Sequence, residues 1–305
     1  MRMPVLRLMR NRARLFHRSV VTLNVEGDSV RLLAVKGRQV TAWGLEPLEP
    51  RLVHEGVIAD PQAVGAHIRS LLTSHRVGNR KLVASLTGQR SVPRILDLPE
   101  TNSQLLQAML PREMKRELPV PLEEMRLSYQ VIGSENGHCR VFALGVPRDV
   151  LGPQVKAIEL SGRKPHSMDI KPLALVRAVG LSDALIADLE PESIDVIVVR
   201  DGIPATIRTV GLQPQASETE DKIRRLGEEL TRTVKFYNDT HPEEPLARST
   251  PLCLTGSLAE EVVLSGVAEA SVGLTREPLA PSLGCPPDLP VATFMVNIGL
   301  ALKET

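Results

Sequence analysis

Two stretches decide the fold: residues 19–43, SVVTLNVEGDSVRLLAVKGRQVTAW, and residues 184–210, ALIADLEPESIDVIVVRDGIPATIRTV. Each is rich in Val, Ile, Leu and Thr and is cut by turn signals, Gly27-Asp28 and Lys36-Gly37 in the first and Asp201-Gly202 in the second. Such runs read as short strands joined by tight turns, hence two three-stranded meanders. A helix follows each. Asp60-Pro61 opens the first, which carries Val64, Ile68, Leu71 and Leu72 on one face to about Ser74. The second spans Glu218–His241, with Ile223, Leu226, Leu230, Val234 and Tyr237 at helical spacing. Strands Lys81–Leu86 and Leu252–Thr255 complete the two units. The order strand, strand, strand, helix, strand thus occurs twice, which predicts an α/β protein of two similar subdomains facing a cleft.

An insertion separates the units. It reads as strand Ser91–Leu98, a helix from Ser103 to about Glu117 capped by Thr101, and a hairpin of Met125–Ile132 with His138–Val146. Pro111 within that helix predicts a kink or a broken start. Helices Arg148–Ser161 and Pro172–Val179 flank a short strand Ser167–Ile170. A short helix Leu258–Leu264 and a closing helix Val291–Leu302 complete the chain.

Composition narrows the function. The chain has 305 residues, 42% hydrophobic and 24% charged, as expected of a globular protein with more than one core. Aromatics are 2% and the net charge is +1, which gives no case for nucleic-acid binding. Cys139, Cys253 and Cys285 lie far apart and odd in number, so neither a disulfide framework nor a zinc site is suggested. The seven histidines lack metal spacing, and no GxSxG, HExxH, Walker A or GxGxxG motif occurs. The acidic pairs Glu123-Glu124, Glu228-Glu229 and Glu243-Glu244 read as solvated faces or caps. No apolar run is long enough to span a bilayer. Residues 1–18 hold Arg2, Arg7, Arg10, Arg12, Arg14 and Arg18 among apolar residues. That pattern reads either as a basic tail or as a surface for anionic lipid.

The insertion also carries a resemblance. Leu98-Pro99, Glu113, Leu118-Pro119-Val120-Pro121 with Glu123-Glu124, and Tyr129-Gln130-Val131 resemble the hallmark segment of the PilM family of type IV pilus assembly proteins. Gly56-Val-Ile-Ala-Asp-Pro61, Ser161-Gly-Arg-Lys-Pro165, Asp169-Ile-Lys-Pro172, Val199-Arg-Asp-Gly202 and Arg208-Thr-Val210 resemble further steps of that family. The match is dense over 19–212 and resumes at the final helix. It implies duplicated actin-like (ribonuclease H-like) subdomains with an inserted domain of the type found in PilM and its cell-division relative FtsA.

The implied division is a basic tail at 1–18, a first actin-like subdomain at 19–84 and 164–182, and an inserted domain at 85–163. A second actin-like subdomain follows at 183–213 and 250–305, with a reduced helical subdomain at 214–249. The implied role is a cytoplasmic scaffold at the inner face of the membrane, binding the cytoplasmic tail of a membrane-anchored, PilN-like pilus protein. The proline-bent segment Leu110–Met125, with Leu118, Pro119, Pro121 and Tyr129, is the candidate edge of a groove for that tail. The Ile223–Tyr237 stripe reads as core, since a stripe of this width normally faces one, with self-association through it the alternative if it is exposed.

Actin-like ATPases hold phosphates on two strand–turn hairpins, each with an Asp followed two residues later by Gly. Here the first hairpin has Asn24 at the Asp position and Glu26 at the Gly position. The second keeps Asp188 but has Glu190 for Gly, followed by Pro191, which lacks an N–H. The adenosine segment reads Leu254-Thr255-Gly256-Ser257-Leu258, so Thr255 and Gly256 remain. A carboxylate about 4 Å from one phosphate charge costs roughly 4 kcal/mol at an effective dielectric of 20. A pseudo-ATPase with no cofactor is therefore expected, with weak binding of ATP and magnesium as the open alternative. The rival readings are an active actin-like ATPase of the pilus machinery and an FtsA-like filament protein of cell division or cell shape. The chain ends directly on its last helix without a linker to an anchoring segment, which weighs against the FtsA-like reading.

Overall fold

A computed structural model describes residues 19–116, 121–212 and 218–303. The basic tail at 1–18 and the partner candidates Leu118 and Pro119 lie outside the described residues.

Strands β1 (Ser19–Val25), β2 (Ser29–Lys36) and β3 (Gln39–Pro47) form the first meander. A two-residue pair, β4 (Val53–His54) and β5 (Val57–Ile58), leads into α1 (Pro61–Ser74). Asp60 caps α1 as read: its Oδ1 accepts from the amides of Gln62 at 2.9 Å and Ala63 at 3.0 Å. Strand β6 (Lys81–Leu86) then runs parallel to β1. The insertion comprises β7 (Val92–Pro99), α2 (Ser103–Lys115), a 3₁₀ turn at Leu122–Glu124, β8 (Met125–Glu135) and β9 (His138–Pro147). Helix α3 (Arg148–Leu160), strand β10 (Ser167–Ile170) and helix α4 (Lys171–Val179) return the chain to the first sheet, whose order is β10-β6-β1-β2-β3.

The second unit has β11 (Ala184–Glu190), β12 (Ser193–Arg200), β13 (Ile203–Gly211), α5 (Thr219–Thr240) and β14 (Leu252–Thr255), with sheet order β13-β12-β11-β14. Helices α6 (Ala259–Ser265), α7 (Val267–Val272) and α8 (Val291–Lys303) complete it. In both sheets the fourth strand of the unit pairs in parallel with the first, β6 with β1 and β14 with β11.

Three apolar cores explain the layers. The first gathers Leu23, Leu32, Val64, Ile68, Ala157 and Ile158 between the first sheet and helices α1 and α3. A second packs α4 and α8 between the two large sheets, joining Leu33 and Val83 to Ile186 and Ile197. The third sets Leu226 and Leu230 of α5 against Val196 and Val198. Central strands β1, β2, β11 and β12 are therefore covered on both faces, which is why they read as near-continuous apolar runs. Helix α8 is apolar almost all round for the same reason. Its Gly299 lies so close to α4 that a Cβ there would sit 1.8 Å from the Ala174 carbonyl oxygen.

Two local readings change, and one alternative falls away. Asn102, not Thr101, caps α2, accepting from the Leu105 amide at 3.0 Å. Helix α2 continues through Pro111 instead of breaking there. Proline only deprives the Gln107 carbonyl of its helical donor, and Leu106, Leu110 and Met114 stay buried against the inserted sheet. The α5 stripe of Ile223, Leu226, Leu230 and Tyr237 is buried in the third core, so it is not an exposed face for self-association.

Candidate functional site

The two hairpin ends and the start of α4 meet between the large sheets. There they place six charged side chains in one cluster. Lys171, the first residue of α4, lies with its Nζ 2.8 Å from Asp188 Oδ2, 3.3 Å from Asp195 Oδ2 and 3.3 Å from Glu26 Oε1. It also donates to Ser193 Oγ at 3.3 Å. Arg31, on β2, forms a two-pronged pair with Glu190 at 2.6 and 2.7 Å and donates to the Thr293 carbonyl at 3.1 Å. Ser257 donates to the same Glu190 carboxylate at 2.6 Å.

The polar neighbours extend this network. Asn24 donates to Glu26 at 2.9 Å and accepts from Ser85 Oγ at 2.5 Å. Thr255 donates to Asp188 at 2.7 Å, and Thr209 donates to Asp195. Asn297 on α8 donates to the Thr22 and Arg31 carbonyls at 3.2 and 3.1 Å, fixing that helix to β1 and β2. Gly256 adopts φ +100, and a Cβ there would lie 2.3 Å from the Leu189 carbonyl oxygen. That turn therefore requires glycine.

Of the six candidate nucleotide-site positions, Asn24, Glu26, Asp188, Glu190 and Thr255 join this one network, and Gly256 shapes the turn beside it. The glutamates turn inward. Each has a cationic partner, so the repulsion expected of a bare carboxylate facing a phosphate does not describe them. Arg31, Lys171 and Asp195 escaped the sequence reading. Their signal was a charge within or beside a strand otherwise buried on both faces, as in SVRLLAVK and SIDVIVVR. A buried charge needs a partner.

Electrostatics follow from burial. Burial pushes Glu26 up, and Glu190 and Asp188 add to this against the opposing Lys171 and Arg31, leaving it at about 7. Burial also works to raise Glu190, but the charge and hydrogen bonds of Arg31 outweigh it and hold the group at about 2. Burial raises Asp188 despite Lys171. Burial opposes the Lys171 charge, yet Asp188, Glu26, Asp195 and Glu190 together raise its pKa well above the ordinary lysine value. The cluster thus sets four carboxylates against two cations, Lys171 and Arg31, and burial pushes Glu26 and Asp188 toward the neutral form.

A second feature lies on the other side of the β10–α4 junction. A groove of about 520 Å³ opens between the inserted unit and the first sheet. Leu110, Pro111, Leu122 and Tyr129 line one side, and Met168, Asp169, Ile170 and Lys303 another. Tyr129 donates to the Ser103 carbonyl at 3.0 Å. Pro121, the fourth partner candidate, directly precedes Leu122 on the 3₁₀ turn at the groove edge. Lys303 lies 3.5 Å from Asp169, which also pairs with Arg177. Among the described residues no cluster of His, Cys, Asp and Glu suits a metal ion, and no helix is long and apolar enough to cross a membrane.

The paired sheets and the central helices between them are an actin-like fold. A chain of the PilM–PilN type IV pilus biogenesis complex superposes with a TM-score of 0.78 at 20% identity, covering 93% of this chain and 98% of that one. EutJ, an ethanolamine utilization protein of Carboxydothermus hydrogenoformans, matches at TM-score 0.55 and 10% identity, covering 98% and 92%. A Bacteroides thetaiotaomicron protein with an actin-like ATPase fold matches at 0.51 and 10%, covering 94% and 96%. The family model described as type IV pilus assembly protein PilM matches residues 26–215. The chain belongs to that family.

Proposed function

We propose that this chain is a scaffold of type IV pilus assembly that holds the cytoplasmic tail of a membrane-anchored, PilN-like protein. Its work would lie in the cytoplasm at the inner membrane face. The groove beside the inserted unit carries this reading. It is bounded by Tyr129, Leu110 and Leu122 on one side and by Ile170 and Met168 on the other. Apolar walls suit alternate side chains of an extended tail, and Asp169, Lys303 and Gln107 supply polar ends. The similar chain of the PilM–PilN complex supports a partner of that kind. In the same reading the arginines of residues 1–18 meet anionic lipid.

Nucleotide chemistry is lost in this reading. The residues at the phosphate hairpins do not fit a magnesium-bound polyphosphate. Glu26 and Glu190 are buried and engaged by Lys171 and Arg31. The two hairpin tips meet: a Cβ on Gly27 would lie 2.0 Å from the Glu192 carboxylate. An anion entering here would have to break two buried ion pairs and displace both glutamates.

The experiment is a thermal-shift titration of the full chain with a synthetic peptide of the partner's cytoplasmic tail, and separately with magnesium-ATP. The expected result is stabilisation by peptide alone. Stabilisation by magnesium-ATP at micromolar concentration would refute the pseudo-ATPase, and no stabilisation by peptide would refute the scaffold.

A further inference from the structure

Leu264, near the end of α6, is 87% exposed. Glu260 and Glu261, both exposed, precede it by four and three residues, so the helix carries all three on one face. Gly266, at a left-handed φ of +64, ends the helix directly after that face. A leucine held in water in this way adds nothing to the fold of its own chain. A surface that buried it would be apolar, and one that matched its two neighbours would be basic.

Such a surface lies elsewhere on the molecule. A trench of about 700 Å³ opens between the inserted sheet and β13. Ile95 on β7 is 37% exposed and lies directly opposite Phe142 on β9. Arg140, exposed and two residues before Phe142, projects from the same sheet face by the period of two. Phe236 of α5, 59% exposed, lines the trench across from them. Arg94 also lines it and donates to the Pro93 carbonyl at 2.8 Å. The lining contains no Asp or Glu. Asp97, opposite Arg140 across the strand pair, is shared with His138 at 3.3 Å. Apolar side chains and a cation thus stand on one face here, as Leu264 and two carboxylates do on α6.

The topology keeps the two surfaces apart within one chain. Strand β13 borders the trench, α6 packs beside β14, and β13 and β14 are the opposite edges of the second sheet. Along α5, Gly227 packs on Val267 and Ser271 of α7, whereas Phe236 lies about 14 Å further along the helix. A chain therefore does not fill its own trench with its own α6.

We infer that α6 of one copy docks in the trench of a second copy, with Leu264 entering between Ile95 and Phe236 and its two glutamates meeting Arg140 and Arg94. The contact is head-to-tail. Each bound pair leaves one α6 face and one trench open, so further copies add in the same direction. The tail groove proposed above shares no lining residue with the trench, and both fill independently.

Sedimentation velocity of the full chain is the test. Wild type is expected to associate below about 100 µM, and less so as salt rises. Leu264→Asp and Arg140→Glu, each at an exposed side chain, should each weaken association at least about tenfold. Unchanged affinity for the tail peptide reports that both variants are folded. Mixing them is the decisive step. Leu264→Asp keeps its trench and Arg140→Glu keeps its α6 face, so the mixture should form a one-to-one pair and nothing larger, while each variant alone stays monomeric. A wild type still monomeric at about 1 mM would remove the second copy from the trench and overturn the inference. Association unmoved by either substitution, or no pair in the mixture, would overturn it as well.

Discussion

Replacing Lys171 with methionine keeps the length and apolar stem of the side chain and removes its charge. In the folded protein the ammonium lies 2.8 Å from Asp188 and 3.3 Å from both Asp195 and Glu26. Without it, four buried carboxylates, Glu26, Asp188, Asp195 and Glu190, are left with Arg31 as the only cation of the cluster. Arg31 is already engaged by Glu190. The desolvation of the ammonium is recovered, but three carboxylates lose their partner. Breaking a buried pair in this way costs about 3–5 kcal/mol. Protonation relieves the loss. Glu26 and Asp188 are already raised by burial against the opposing Lys171 charge, and in the variant that opposition is gone, so both rise further above their unfolded values. The folded state then binds more protons than the unfolded one, and stability falls as pH rises. Urea unfolding of wild type and Lys171→Met at pH 5 and pH 8 is the assay. The expected deficit is about 3–5 kcal/mol at pH 8 and clearly smaller at pH 5. Adding Asp195→Asn should return part of it at pH 8. A deficit below about 1 kcal/mol at pH 8, or one equal at both pH values, would refute the idea that Lys171 neutralises this cluster.

Three other outcomes follow from the same geometry. Glu26 has a folded pKa of about 7 against an ordinary 4.5, so it favours the folded state most at low pH and loses that contribution as pH rises through 7. The stability difference between wild type and Glu26→Gln should therefore change by about 3 kcal/mol between pH 4.5 and pH 8, against wild type as pH rises, measured by urea unfolding. Gly256→Ala places a Cβ against the Leu189 carbonyl at a positive φ, and should cost about 2–4 kcal/mol, read as a lowered Tm. Tyr129→Ala removes one wall of the groove and the hydrogen bond to Ser103; it should weaken the tail peptide about tenfold in a titration, while leaving magnesium-ATP without effect.

The architecture was legible because its signals are local. Turn residues such as Gly27-Asp28 and Asp201-Gly202, and apolar spacing such as Val64, Ile68 and Leu71, report strand and helix positions without reference to distant chain. Asp60-Pro61 marked the start of α1 for the same reason. The cap of α2 was missed by one residue, since Thr101 and Asn102 are both competent and only the backbone conformation of Asn102 decides between them. Helix α7 and the pair β4–β5 were not read, because six-residue and two-residue elements carry too little periodicity. The site was half legible. Positions 24, 26, 188, 190, 255 and 256 were found by frame, but what they do depends on Arg31, Lys171 and Asp195, which come from other elements. A carboxylate in a turn looks the same in sequence whether it faces solvent, a phosphate or a lysine.

Neither member of a buried ion pair is tolerated without the other. Glu190 alone, buried without Arg31, would be an uncompensated charge at the centre of the molecule, and Arg31 alone would be the same with opposite sign. Together they form a two-pronged pair at 2.6 and 2.7 Å, tying β2 of the first sheet to β11 of the second. Lys171 repeats the arrangement, tying α4 to β11 and β12 and back to Glu26 on the first hairpin. Each cation therefore joins the two large sheets through a carboxylate of the other unit. In the proposed scaffold, a pilus-tail groove whose wall includes Asp169 and Ile170 is built directly before Lys171 in the chain. In that proposal the charge cluster would hold the junction in place from within. On this argument, Lys171→Met should weaken the tail peptide as well as the fold, and Lys171→Met with Asp195→Asn should recover both together. A recovery of stability without recovery of peptide affinity would separate the cluster from the groove and end the link between them.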